Sequence, residues 1–158
     1  MQKPLLGQKV AFLVANGFNE TDFIVAQKDI QALGADTRII SMDQGLVSSL
    51  NDQGWGLNFA SDQALNTSLA ADYSAVVVPG GKRSAEKLQL TAHTRRFLRG
   101  FYETSKPVCV IGDGADLLKF AEIDVDADAP NLLVCDTAND SIAEFLNELL
   151  LEEQAVAA

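Results

Sequence analysis

Histidine and cysteine are nearly missing from this chain: 158 residues contain one histidine, His93, and two cysteines, Cys109 and Cys135. One histidine in a polar stretch leaves no Ser-His-Asp or Cys-His set to assemble, because each such set needs a base oriented by a third group. It also leaves the acidic residues without an imidazole partner of the kind zinc sites use, so no metal and no cofactor is expected. The two cysteines sit inside apolar runs that read as central strands. They are too few and too far apart for a disulfide framework, and are expected to be small buried hydrophobes.

Basic residues are scarce as well. Twelve Lys and Arg stand against 22 Asp and Glu, a net charge of −10, which repels phosphate backbones and anionic lipid surfaces. Nucleic acid and membranes are therefore not expected partners. No apolar run approaches the roughly eighteen residues of a membrane helix, and residues 1–7 lack the apolar core of a signal peptide. A soluble, cytoplasmic protein is expected. With 47% apolar residues the chain suits a single domain over 1–158, with its core at about 9–150 and a frayed tail at 151–158.

What is present alternates between two periods. Residues 9–14, 74–78 and 108–111 are continuous apolar runs, as expected of adjacent central parallel strands covered on both faces. Residues 37–41 and 131–135 read as further strands. Helical spacing recurs between them. Asn19 is a candidate N-cap for a helix carrying Phe23, Ala26, Ile30 and Leu33 inward and stopped by Gly34. Two more helices are expected at 84–90 and 91–102, with Phe97, Leu98 and Phe101 inward and Arg95, Arg96 and Arg99 on a solvated face. A short helix at 115–120 and an amphipathic one at 140–150, striped by Ile142, Phe145, Leu146 and Leu149, complete the pattern.

Residues 43–68 differ in kind, with turn residues between short apolar pieces, and read as a hairpin excursion with Trp55 as a local packing anchor. The whole predicts an α/β fold: a flavodoxin-like three-layer sandwich around a mainly parallel sheet, its crevice at the carboxyl ends of the strands.

Three loops fall on that rim: residues 16–20, 79–81 and 112–114. At these residues the chain resembles the PfpI-type family of the class I glutamine amidotransferase-like superfamily, to which the DJ-1 proteins belong. The resemblance rests on a glycine-acid loop opening the first helix, Val77-Val78-Pro79-Gly80-Gly81, and Lys106-Pro107-Val108 before an elbow strand. It implies that Glu20 is the glutamate that reaches a cysteine nucleophile in that family, and that Gly80 and Gly81 supply oxyanion-hole amides. The elbow departs from the pattern: alanine, isoleucine, cysteine, often histidine, then glycine falls on Val110, Ile111, Gly112, Asp113 and Gly114.

Cys109 lies three residues upstream within the strand and cannot stand in for the missing thiol. Ile111-Gly112-Asp113 and residues 130–150 are similar to the extra C-terminal domain of large-subunit catalases, without the haem-binding core that catalase activity requires. The resemblance spans residues 9–150. It implies a stress-associated or chaperone-like module, a homodimer, and client proteins or a small molecule as partners.

Two enzyme-class or ligand readings stand beside it. Glu20 and Asp113 are candidate catalytic residues, an acid-base pair above the Gly80 and Gly81 amides in a hydrolase or lyase that uses no thiol. Their bland counterparts are Asp113 capping the helix near Gly114 and Glu20 solvated at its own helix N-terminus. A small-molecule binding module would use the same crevice. Residues 112–117 also resemble a dinucleotide fingerprint with Asp136 as the ribose acid, but the third glycine is absent and Asp113 would face the pyrophosphate.

Overall fold

The computed structural model describes residues 4–42, 45–124, 130–137 and 140–157. Strand β1 (Lys9–Val14) ends at Ala15 and leads through the two-residue strand β2 (Phe18–Asn19) into helix α1 (Glu20–Ala32). The Asn19 side chain accepts the Asp22 N–H at 2.9 Å, the N-cap that the sequence predicts. Gly34, at φ +95°, closes the helix by donating its N–H to the Gln31 carbonyl.

Strand β3 (Asp36–Ser41) pairs parallel to β1. The hairpin follows as β4 (Leu46–Asn51) and β5 (Gly54–Ala60), then β6 (Gln63–Ala64) and the central strand β7 (Ala75–Val78). Helices α2 (Lys82–Leu88) and α3 (Ala92–Glu103) lead to β8 (Val108–Ile111), and a 3-10 turn at Gly112–Ala115 to α4 (Asp116–Phe120). Strand β9 (Leu132–Cys135) and helix α5 (Asp140–Ala157) close the chain.

Among the described residues the main sheet has the order β6-β3-β1-β7-β8-β9, all parallel, so the three continuous apolar runs are its adjacent central strands. Alternation along β1 sends Val10, Phe12 and Val14 to one face and Ala11 and Leu13 to the other. The first face packs against Phe23, Ala26 and Ile30 of α1 and Ile142, Leu146 and Leu150 of α5. The second packs against Leu88 of α2, Phe97, Leu98 and Phe101 of α3, and Leu117 and Leu118 of α4. Burial on both faces is why β7 and β8 read VVV and VCVI without a polar break. A flavodoxin-like three-layer sandwich is the result.

Three local expectations change. Trp55 is 55% exposed and anchors no core; the Arg83 guanidinium lies over its ring at 5.3 Å. The α3 arginines are tied rather than simply solvated: Arg95 donates to the Phe120 carbonyl, Arg96 to those of Leu65 and Ser68, and Arg99 to those of Ala121 and Glu122. They bond carbonyls of the short helical turns packed beside α3. Cys135 lies on the outermost strand β9 and is only half-buried, because no further strand covers it among the described residues. The backbone of α5 is helical as far as Ala157, and residue 158 lies outside the described residues.

Candidate functional site

Parallel order places the carboxyl ends of β1, β7 and β8 side by side, so the three rim loops meet. They meet at van der Waals contact. The Asn19 N–H donates to the Gly80 carbonyl at 2.7 Å, and the buried Ala15 N–H donates to Ser84 Oγ of α2 at 2.9 Å. A Cβ at Gly81, where φ is +116°, would stand 2.5 Å from the Gly17 carbonyl oxygen. One at Gly114 would stand 2.9 Å from the Val78 carbonyl oxygen. Glycine is required at both because backbone approaches backbone there.

Gly112 is the elbow. Its φ of +52° is the left-handed geometry by which a strand-to-helix turn lifts a nucleophile clear of the sheet, yet it carries no side chain. A Cβ there would lie 3.3 Å from the Asp136 carbonyl oxygen, so the end of β9 folds over the turn. That carbonyl, with its partial negative charge, is an unfavourable neighbour for a phosphate at the turn. Cys109, the nearest thiol in sequence, is fully buried in β8, and burial pushes its pKa up, so it remains a protonated, inaccessible thiol.

The acids do not fall where the resemblance puts them. It is Asp22, not Glu20, that reaches the Gly-Gly turn: its carboxyl accepts the buried Gly80 N–H at 3.2 Å. A Cβ on Gly80 would stand 2.6 Å from the same Asp22 oxygen and 3.2 Å from the Ile111 carbonyl oxygen, so the Gly-Gly turn lies against both the acid and the end of the elbow strand. Asp22 shares its side of α1 with Ala26 and Ile30, four and eight residues on, both buried. A carboxyl on a core-facing stripe was the available signal for it.

Glu20 faces the hairpin instead. Its Oε2 accepts the Leu57 N–H at 2.8 Å and lies 2.9 Å from Ser49 Oγ and 3.4 Å from Asn51 Nδ2. The Leu57 N–H, helped by Ser49, holds its pKa below the ordinary value. Asp113 is exposed in the 3-10 turn, with no side-chain cap on that turn or on α4, and it is not among the groups acting on Glu20. The two carboxyls are thus committed to different parts of the rim, and the solvated role for Glu20 is not realised either. His93 is exposed in the first turn of α3.

A cleft of about 480 Å³ opens beside this rim, between the hairpin tip and α2, lined by Gly17, Asn19, Asn51, Lys82, Arg83 and Glu86 among others. An apolar hollow of about 270 Å³ lies on the other side of the loop after β1, bordered by Met42, Leu46, Val47 and Leu90. Among the described residues no group of three or more His, Cys, Asp or Glu could hold a metal ion, and no helix is long and apolar enough to cross a membrane.

The profile of the DJ-1/PfpI family matches residues 8–126. Catalase HPII of Pseudomonas aeruginosa is 26% identical over 133 residues, which are 84% of this chain and 18% of the catalase. Deglycase PfpI of Pyrococcus furiosus is 26% identical over 110 residues, 70% of this chain and 63% of the deglycase. The chain therefore spans less than two thirds of these relatives. A two-domain protein of Anabaena variabilis with DJ-1/ThiJ/PfpI-like and ferritin-like domains superposes with a TM-score of 0.74 at 18% identity, over 94% of this chain and 50% of that one. At that identity the likeness speaks for the fold alone.

Proposed function

The chain belongs to the DJ-1/PfpI family, and we propose that within it this protein is a non-catalytic, chaperone-like module whose elbow has been closed. One observation carries the reading. Gly112 replaces the nucleophile while the Gly80 N–H, a candidate oxyanion donor, is already taken by the Asp22 carboxylate. An amide bound to a carboxylate is withdrawn from a developing oxyanion, and the carboxylate's own charge would oppose that oxyanion.

The chaperone-like part is supported by the hollow beside the rim. Leu46 is 70% and Leu90 80% exposed at its border, a contiguous apolar surface of the kind that contacts unfolded chains. The Glu20 and Asp113 enzyme lacks such support, since Glu20 is bound into the hairpin. The test is twofold. The purified chain is expected to leave glyoxals, peptides and esters unchanged and to suppress aggregation of a heat-unfolded client, with suppression reduced by Leu46→Ser together with Leu90→Ser. Turnover above buffer that disappears in Asp22→Asn overturns the reading.

A further inference from the structure

The β4–β5 hairpin is attached to the domain in two different ways along its length. At its base Phe59 enters an aromatic group with Phe18 and Phe23, at centroid distances of 5.8 and 4.7 Å, and Val47 opposite it is buried. The Ser48 N–H donates to Asn16 Oδ1, and the Ser48 carbonyl accepts the Gly17 N–H. Apolar packing and backbone bonds fix that end.

Beyond Ser48 the register breaks: Ser48 faces Asn58 but Leu50 faces Trp55, so β5 carries one extra residue at Gly56 and Leu57. A bulge takes an N–H out of the ladder, and here the Leu57 N–H goes to Glu20. The absent side chain of Gly56 leaves the space that the Glu20 carboxylate occupies, where a Cβ would otherwise stand. Past the bulge only two cross-strand pairs remain, Leu50 with Trp55 and Asn51 with Gly54. Residues 51–55 are exposed.

The second attachment of the tip comes from α2. The Arg83 stem lies across Gly17, whose Cβ would stand 2.7 Å from Arg83 Cβ, and its guanidinium ends over Trp55. Arg83 also lines the 480 Å³ cleft, together with Lys82 and Glu86 of α2 and Leu50, Asn51 and Asp52 of the hairpin tip.

We propose that residues 50–57 are a lid at the edge of that open cleft, hinged at the Gly56–Leu57 bulge and held in place by two polar latches, Glu20 on the Leu57 N–H and Arg83 on the Trp55 ring. The inference is independent of the missing thiol: it concerns access to the cleft. Exposed latches of this kind open readily, whereas the Phe59 base opens only with the domain. The tip thus moves as a unit on a fixed root.

Trp55 is the chain's only tryptophan, so its fluorescence reports the lid without labels. Glu20→Ala, which removes the acceptor, and Arg83→Met are each expected to raise the acrylamide quenching constant of Trp55 by about twofold and to speed amide hydrogen exchange across residues 50–57 by about tenfold. Exchange across residues 46–48 and 58–60 stays as in the unaltered chain. The unaltered chain itself should show the same hierarchy, tip faster than base, which tests the hinge even where a variant folds poorly. Equal exchange of tip and base in the unaltered chain, a parallel increase at both in the variants, or no change at either overturns the proposal.

Discussion

Asp22 and Gly80 stand 58 residues apart in sequence and are joined by a buried hydrogen bond of 3.2 Å, carboxylate to backbone N–H. The bond ties the first helix to the turn after the central strand β7. It gives the acidic loop and the Gly-Gly turn a structural task in place of a catalytic one. Removing the acceptor leaves a buried N–H without a partner, which costs about 1–3 kcal/mol. Asp22→Ala is therefore expected to lower the unfolding free energy measured in urea by that amount, and Asp22→Asn, which keeps an acceptor oxygen, by clearly less. Equal stability of Asp22→Ala and the unaltered chain would show that the Gly80 N–H does not depend on this carboxylate.

The elbow itself tolerates little. A side chain at 112 must adopt φ near +52° and approach the Asp136 carbonyl, and the left-handed conformation alone costs roughly 1–2 kcal/mol for a residue with a Cβ. Gly112→Ala is expected to destabilise by about that much in chemical denaturation. Gly112→Cys should do likewise without producing turnover of glyoxals, since Asp22 still holds the Gly80 N–H. A fully stable, active Gly112→Cys protein would mean that the closed elbow is not what prevents chemistry.

Thiol reactivity should separate the two cysteines. Burial raises Cys109, and burial with the nearby Asp136 carboxylate raises Cys135, but only Cys135 is partly open to solvent. A raised pKa means less thiolate at a given pH, so both react slowly in the native state, Cys135 first. Mass spectrometry of partially labelled native protein checks the order. Labelling of Cys109 ahead of Cys135 contradicts it.

Stability should respond to acid through Glu20. Its folded pKa lies below its ordinary value of 4.5, chiefly because the Leu57 N–H and Ser49 favour the ionised form. A depressed carboxyl contributes stability that is fully present above the unfolded value and is lost as pH falls through the folded one. Below pH 4.5, therefore, the Leu57 bulge should loosen, and Glu20→Gln should flatten that part of the pH dependence of tip exchange. An identical acid profile in Glu20→Gln would assign the transition to another group.

Arg96 offers a test of the tied α3 face. Its two bonds to the Leu65 and Ser68 carbonyls join α3 to the segment before β7. Arg96→Leu is expected to cost about 1–2 kcal/mol, more than a solvated arginine would, by the same denaturation measurement. A change within about 0.5 kcal/mol would return Arg96 to a surface role.

The central strands, the order of elements and the missing nucleophile could be read from the residues in order, because continuous apolar runs and a glycine at the elbow are local facts. Burial on both faces leaves its mark on β1 from Val10 onward and on every residue of β7 and β8. The direction of a polar side chain leaves no such mark. Glu20 and Asp22 are two residues apart with similar chemistry, yet one bonds a hairpin amide 37 residues away and the other a turn amide 58 away. Which acid met which amide, and whether Arg96 and Trp55 found partners, depended on the elements brought alongside by the parallel sheet. Hydrogen-bond partners distant in sequence exist only once apolar packing has set those elements in place, so only the tertiary structure decided them.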